Sequence, residues 1–351
     1  MPRAAAPKKS APKKAKKKST SAVSSLRRIA RIVVGGVVLV FALLCAGGLW
    51  HVHHSADWLA EHDSFLTAPL RVCGDGTAFF TDALGWTGHD AVYESDDPPP
   101  ANQILFAGAP VRTGAPAPAD IQILHRGEFI VGWSPSLRHP VWVAYHVPAV
   151  ERFPAEREPR FQKDVSVANA PAPADYAKSR YDRAPLVPSR MLATRFGGDE
   201  QKKAFKMSAV APQLPTLHRG PWNELEQRLA DLWPAAYGEL WVVAGALSTR
   251  PGAQKIPGTA IDVPDAYYMV VAAQAADGVR AFAVLLPQTI DRWAFPVHNL
   301  LTIDELEAKT GLDFFPDLPK YLQRPLEADR PTRLWPVRLR DVFKLLLARF
   351  T

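Results

Sequence analysis

Cysteine is nearly absent from this chain: two residues among 351, Cys45 and Cys73. Cys45 sits inside a long apolar run and Cys73 lies beyond it, so the two cannot pair and no disulfide framework holds the fold. Acidic residues are missing from positions 1–31, which carry eleven Lys and Arg. The formal net charge of +7 therefore belongs to that tail. From residue 32 onward 31 basic residues face 35 acidic ones, a net of −4. That balance argues against tight, non-specific polyanion binding by the folded part, which relies on Lys and Arg neutralising phosphates. The tail itself is Ala, Pro, Lys and Ser, too polar to bury a core, and reads as disordered. No internal repeat is visible.

Charge is also missing from Ile32 to Trp50, a stretch of 19 residues. About 20 apolar residues suit the hydrocarbon thickness of a bilayer, whereas a cleavable signal has a shorter apolar region and a small-residue cleavage site. Leu49, Trp50 and His51 make a poor site, and Leu43-Leu44-Cys45 lacks the small residue expected before a lipidated Cys. The stretch reads as an uncleaved signal anchor whose partner is membrane lipid. The basic flank places the N-terminus in the cytoplasm and the remainder outside, the periplasmic side of an inner membrane in a bacterial cell.

Proline is abundant, 33 residues, and ten Trp with 47% hydrophobic residues are ample for a core. Residues 51–120, with Pro98-Pro99-Pro100 and three His at 51, 53 and 54, read as an irregular stalk, the His residues facing headgroups rather than metal. From residue 121 the signals sharpen. Ile121 to Leu124 and Phe129 to Trp133 predict a hairpin, and Val141, Val143, Tyr145 and Val147 alternate as in a strand. Leu240 to Leu247, Ala266 to Ala273 and Val279 to Leu286 predict three more strands. Pro221 opens a helix whose face is Trp222, Leu225, Leu229 and Leu232. Thr302 and Glu305 predict a capping box on a helix that stops at Gly311. Residues 320–351 read as a C-terminal amphipathic helix, lying on the membrane or docked on its own domain. The class is α+β around a twisted, largely antiparallel sheet.

Several blocks, in order, resemble one family. Tyr181-Asp182-Arg183-Ala184-Pro185-Leu186-Val187-Pro188 is similar to the signature of the DNA/RNA non-specific endonucleases, which reads Asp-Arg-Gly-His before a small apolar run and Pro. Lys206 to Gln213 resembles the Ser-Asn…Pro-Gln block, and Leu217-His218-Arg219-Gly220-Pro221-Trp222 with Leu225-Glu226 resembles the metal-binding turn and helix. Gly238 to Gly245, Val263 to Tyr268, Glu305 to Leu312 and, upstream, Arg138 to Tyr145 continue the match, so a domain is expected over 121–319. The resemblance implies the ββα-metal fold, preceded here by one transmembrane helix, and metal-dependent hydrolysis of nucleic-acid phosphodiesters. Some members dimerise, so a homodimer is among the implied partners.

In that family the signature His deprotonates water, an Asn ligates Mg²⁺, a Glu two turns along holds metal-bound water, and Arg residues balance phosphate charge. Carried over by position, Pro185 stands at the general-base site, His218 at the metal-ligand site and Ala209 at the Asn of the Ser-Asn pair. Glu226, Asp182, Arg183, Gln213 and Arg160 persist. The resemblance thus implies Arg183, Pro185, Glu226 and Arg160 at the catalytic positions, His218 and Glu226 toward metal, and Asp182, Arg183 and Gln213 toward substrate.

Three readings remain open: a domain weakened or inactivated by Pro185, an active phosphodiesterase rearranged around His218 and Glu226, or a non-enzymatic envelope protein. The cofactor is Mg²⁺, Mn²⁺ or Zn²⁺ if the site turns over, and none otherwise. Imidazole binds transition metals better than an amide oxygen does, and His218 is alternatively the base. Arg183, Arg190, Arg195, Lys202, Lys203, Lys206 and Arg219 cluster in sequence around the motif, as a groove for nucleic acid or as solvated charge. His125, His139, His146 and His298 read as structural.

Overall fold

Runs of apolar residues without polar alternation, such as Leu240–Leu247 and Ala266–Ala275, fit strands covered on both faces. The computed structural model bears this out, and it describes residues 84, 91–93, 104–154, 159–275, 278–338, 341, 342 and 345. All of them fall within one compact unit, Phe79–Thr351. Twelve strands occur among the described residues: β1 Ala91–Tyr93, β2 Val111–Arg112, β3 Gln122–His125, β4 Phe129–Ser134, β5 His139–Val147, β6 Asp182–Pro185, β7 Val210–Gln213, β8 Leu240–Leu247, β9 Ala266–Ala275, β10 Gly278–Pro287, β11 Leu300–Leu301 and β12 Leu312–Asp313. The main sheet runs β1-β10-β9-β8-β5-β4-β3, with β11 also pairing β10. Every pairing in it is antiparallel.

Alternate residues of each central strand feed opposite cores, as a period of two demands. Tyr267, Met269, Val271 and Ala273 of β9 join one cluster, with Trp222, Leu225 and Leu229. Tyr268, Val270 and Ala272 join the other, with Ile303 and Leu306 of α3 (Ile303–Thr310) and Leu322 and Leu326 of α4 (Lys320–Ala328). Helices α1 (Ser189–Phe196) and α2 (Gly198–Ala204) stand on the first face. The result is three layers, helix on sheet on helix, with the sheet in the middle.

A row of alternating glycine and aromatic residues crosses the sheet. Gly132 pairs with Trp142, Trp142 with Gly245, and Gly245 with Tyr268. Each ring lies over the glycine beside it: a Cβ on Gly132 would meet the Trp142 ring at 2.3 Å, and one on Gly245 the Tyr268 ring at 2.1 Å. Tyr268 then reaches across to donate its hydroxyl to the Val141 carbonyl at 3.1 Å. Rings covering cross-strand glycines is a recognised device for holding register.

The expected hairpin, the central strands and the helix stop are all found. Thr302 and Glu305 form the capping box, and Gly311 closes α3 in the left-handed region at φ 69°. Two expectations change. Residues 91–93 and 104–120, read as stalk, belong to the domain: β1 extends the sheet, β2 pairs β12, and Phe106, Ala107 and Ala117 are buried. These strands are two or three residues long, too short to show a period. The single C-terminal helix over 320–351 is also corrected. After α4, residues 329–338 are not helical and bury Leu334, Trp335 and Val337 against the domain, and Val342 and Leu345 are buried too. Pro331 and Pro336 deny that stretch the N–H groups a helix needs. Among the described residues no helix is long and apolar enough to cross a membrane. The proposed anchor 32–50, the tail 1–31 and most of 51–103 lie outside the described residues.

Gly245→Ala should push the Tyr268 ring off its neighbour and cost about 1–3 kcal/mol, as overpacking does. Urea unfolding read by Trp fluorescence checks this, with a lower midpoint expected at an unchanged slope.

Candidate active site

Strands β6 and β7 form a separate two-stranded antiparallel ribbon, Asp182 opposite Gln213 and Pro185 opposite Val210. Only Leu214 separates β7 from a helical segment over 215–237, while α1 and α2 lie between β6 and β7 in the chain. This site helix is not regular. Gly220 leaves helical geometry at φ −111° and ψ −117°, next to Pro221. A Cβ there would stand 2.5 Å from the Arg292 carbonyl oxygen, so only glycine allows that approach. Beyond the kink, Trp222, Leu225 and Leu229 are fully buried under the sheet and hold the helix in place.

The ribbon and the site helix enclose a cavity of about 250 Å³ lined by Asp182, Arg183, Pro185, His218, Arg219 and Glu226, with Phe161, Phe205, Val187 and Ser189 completing its wall. His218 Nδ1 lies 3.1 Å from Asp182 Oδ2, and Arg219 donates to both oxygens of the same carboxylate at 2.7 and 2.8 Å. Burial opposes ionisation of Asp182, yet the hydrogen bonds from His218 and Arg219 hold its carboxyl down at about 2. An ionised carboxylate only accepts, so Nδ1 carries the hydrogen and donates. That fixes the tautomer and leaves Nε2 as the lone-pair nitrogen of a cavity-lining ring.

Glu226 lies eight residues beyond His218 and accepts from Trp222 Nε1 at 3.1 Å, one turn back. Arg183 places its guanidinium over the Phe161 ring, 4.7 Å from the centroid, and Phe161 leans on Phe205 at 4.8 Å. The cavity therefore combines an oriented imidazole, a carboxylate and two guanidinium groups. Such a set suits a phosphate ester: cations for its charge, and a nitrogen lone pair for a proton or a metal.

The family model of the DNA/RNA non-specific endonucleases matches residues 107–321. The chain belongs to that family. It is 31% identical over 198 residues to a nuclease of Serratia marcescens, covering 53% of this chain and 72% of that one. It is 27% identical over 239 residues to the mitochondrial endonuclease G of Bos taurus, covering 60% and 79%. In fold it resembles a chain in the crystal structure of the EndoG/EndoGI complex, at a TM-score of 0.51 and 21% identity over 57% of this chain and 88% of that one. Family membership carries nucleic-acid hydrolase chemistry with it.

Of the residues singled out from the signature, Asp182, Arg183, Pro185, His218 and Glu226 meet in the one cavity. Two others do not. Gln213 is fully buried and absent from the lining, because β7 is enclosed on both sides, Val210 in one cluster and Ala211 in another. Its side-chain oxygen and nitrogen both lack hydrogen-bond partners. Arg160 is exposed and does not line this cavity, while its neighbour Phe161 forms part of the wall.

The basic cluster also resolves. Arg190, Arg195, Lys202 and Lys203 pair with Asp231, Glu151, Asp199 and Glu200, and of the seven residues Arg183 and Arg219 line the cavity while Lys206 does not. The other histidines lie apart from it. His139 is buried beside Asp262, His146 stacks on Trp241, and His125 and His298 are exposed. Phe161, Phe205 and Ser189 carried no signal in sequence, since their role arises only from packing.

Asp182→Asn should weaken the fold by about 1 kcal/mol near neutral pH, a modest figure because Arg219 is solvent-screened. A depressed carboxyl contributes stability above its unfolded value of about 3.9 and loses it as pH falls toward 2. The gap between parent and variant in thermal melts should therefore be full above about pH 5 and close by about pH 2.

Proposed function

We propose that the domain hydrolyses phosphodiester bonds of nucleic acid with its proton acceptor moved from the signature position, where Pro185 stands, to His218. The observation that carries this reading is the Asp182–His218 hydrogen bond inside the cavity that also holds Arg183 and Glu226. An imidazole whose Nδ1–H is held by an ionised carboxylate presents Nε2 in the form that takes a proton from water. Arg183 and Arg219 face the developing negative charge of the phosphorane.

The donors in the cavity fit a divalent cation. Glu226 offers a carboxylate, and His218 offers an imidazole backed by a carboxylate, a common support for metal-binding histidine. Asp182 is not available to a cation, since His218 and Arg219 occupy both of its oxygens. When bound, the cation polarises the phosphate and stabilises the leaving oxygen. Glu226 is the group we assign to it.

The reading includes an extracytoplasmic setting. Supporting it are the 19 uncharged residues at 32–50 and the eleven basic residues before them, which together suit an anchor with its basic flank inside.

Cleavage of plasmid DNA and of RNA by the full-length chain in detergent, with Mg²⁺, Mn²⁺ or Zn²⁺, tests the assignment. His218→Ala should lower turnover by about 10²–10⁴. His218→Asn restores the family's metal-ligand type without a base and should be equally impaired. Full activity of His218→Asn with Mg²⁺ would move His218 to the metal. An inert parent that gains activity only as Pro185→His with His218→Asn would instead establish a degenerate domain.

A further inference from the structure

On the sheet face opposite the cavity, α3 and α4 bring three carboxylates together. Asp304 and Glu307 stand one turn apart on α3, Glu327 lies on α4, and one oxygen from each lies within 4.8 Å of the other two. No ion pair reaches any of the three among the described residues. Glu327 is only 5% exposed, and its Oε1 has no hydrogen-bond partner. A buried carboxylate oxygen in that condition, with Asp304, Glu307 and Asp313 all nearby, is costly when ionised unless something positive sits beside it.

We propose that Asp304, Glu307 and Glu327 form a structural site for Ca²⁺ that ties α3 to α4. An acid-only, oxygen-only donor set suits hard cations and not the metals that prefer imidazole or thiolate. The three oxygens lie within 4.8 Å of one another, close enough to share one ion, and a set of three protein carboxylates suits Ca²⁺, whereas Mg²⁺ keeps several of its waters and takes one or two carboxylates. Asp304 is exposed, which leaves a path from solvent and room for water ligands. Glu307 Oε1 accepts from the Phe314 N–H at 2.7 Å, which orients that carboxylate from behind.

The protonation state agrees with this chemistry. Burial first, and then the nearby acids, push Glu307 up to about 7 and Glu327 up to about 8. A cation must displace those protons, so binding tightens as pH rises through that range. None of the three residues lines the nuclease cavity, so the two sites can be tested separately.

The experiment uses the full-length chain in detergent, stripped of metal by a chelator, with calorimetric titration and thermal unfolding in CaCl₂ or MgCl₂ at pH 6 and pH 8.5. We expect one Ca²⁺ per chain at pH 8.5, binding at least about tenfold weaker at pH 6, and a Tm raised by several degrees in excess Ca²⁺. Glu327→Gln should raise the cation-free Tm at pH 8.5, where the carboxylates are ionised and repel, but not at pH 6, and should abolish the Ca²⁺ response. Asp304→Asn, on the exposed side, should weaken binding without touching the core, and His218→Ala should leave it unchanged. No Ca²⁺-dependent shift at pH 8.5, or an undiminished one in both Glu327→Gln and Asp304→Asn, would overturn the site. An equal response to Mg²⁺ would overturn the choice of ion.

Discussion

The candidate site depends on one carboxylate. Asp182 accepts from His218 and, through both oxygens, from Arg219, and it thereby ties the β6–β7 ribbon to the site helix. Remove that link and His218 is a histidine on a kinked helix with two tautomers and no fixed direction. With it, the ring has one tautomer and a fixed place beside Arg183 and Glu226. The link exists because Gly220 lets the helix approach the Arg292 backbone and because Trp222, Leu225 and Leu229 hold the next turns under the sheet.

The charge pattern follows from the same contact. Arg219 spends its fork on Asp182, a bidentate geometry that guanidinium favours. Arg183 has no acidic partner among the described residues and is stacked on Phe161 instead. The cavity therefore holds one guanidinium already balanced and one that is not, which suits a substrate with one phosphate charge to neutralise. Pro185, which the resemblance places at the position of the family's His, has no titratable group and stands at the end of a two-stranded ribbon, where a missing N–H is tolerated.

Much of this was readable in the sequence. The apolar runs at 240–247 and 266–273, the hairpin at 121–133 and the Thr302–Glu305 box each carry a local signal, and the structure places each element there. The ordered signature blocks also brought Asp182, Arg183, Pro185, His218 and Glu226 together before any geometry was known. What stayed hidden depends on three-dimensional burial. Gln213 has the right identity in the right block, but its strand is enclosed on both sides. Arg160 sits one residue from the position that matters, which Phe161 occupies. The short edge strands at 91–93 and 111–112 have too few residues to show a period, so a Pro-rich stretch passed for stalk. The acidic site between α3 and α4 joins residues about 20 apart, and no motif announces it.

The two faces of the sheet thus divide the work. One carries the nuclease cavity on a ribbon and a kinked helix; the other carries helices whose acidic contacts we assign to a cation. The central claim concerns the first face, that Asp182 makes His218 a proton acceptor. The most direct measurement is the kcat and KM of Asp182→Asn for plasmid cleavage beside the parent, at saturating metal and at a pH where both are folded. The account predicts a fall in kcat of at least about 100-fold with KM little changed. A kcat equal to the parent's would contradict it.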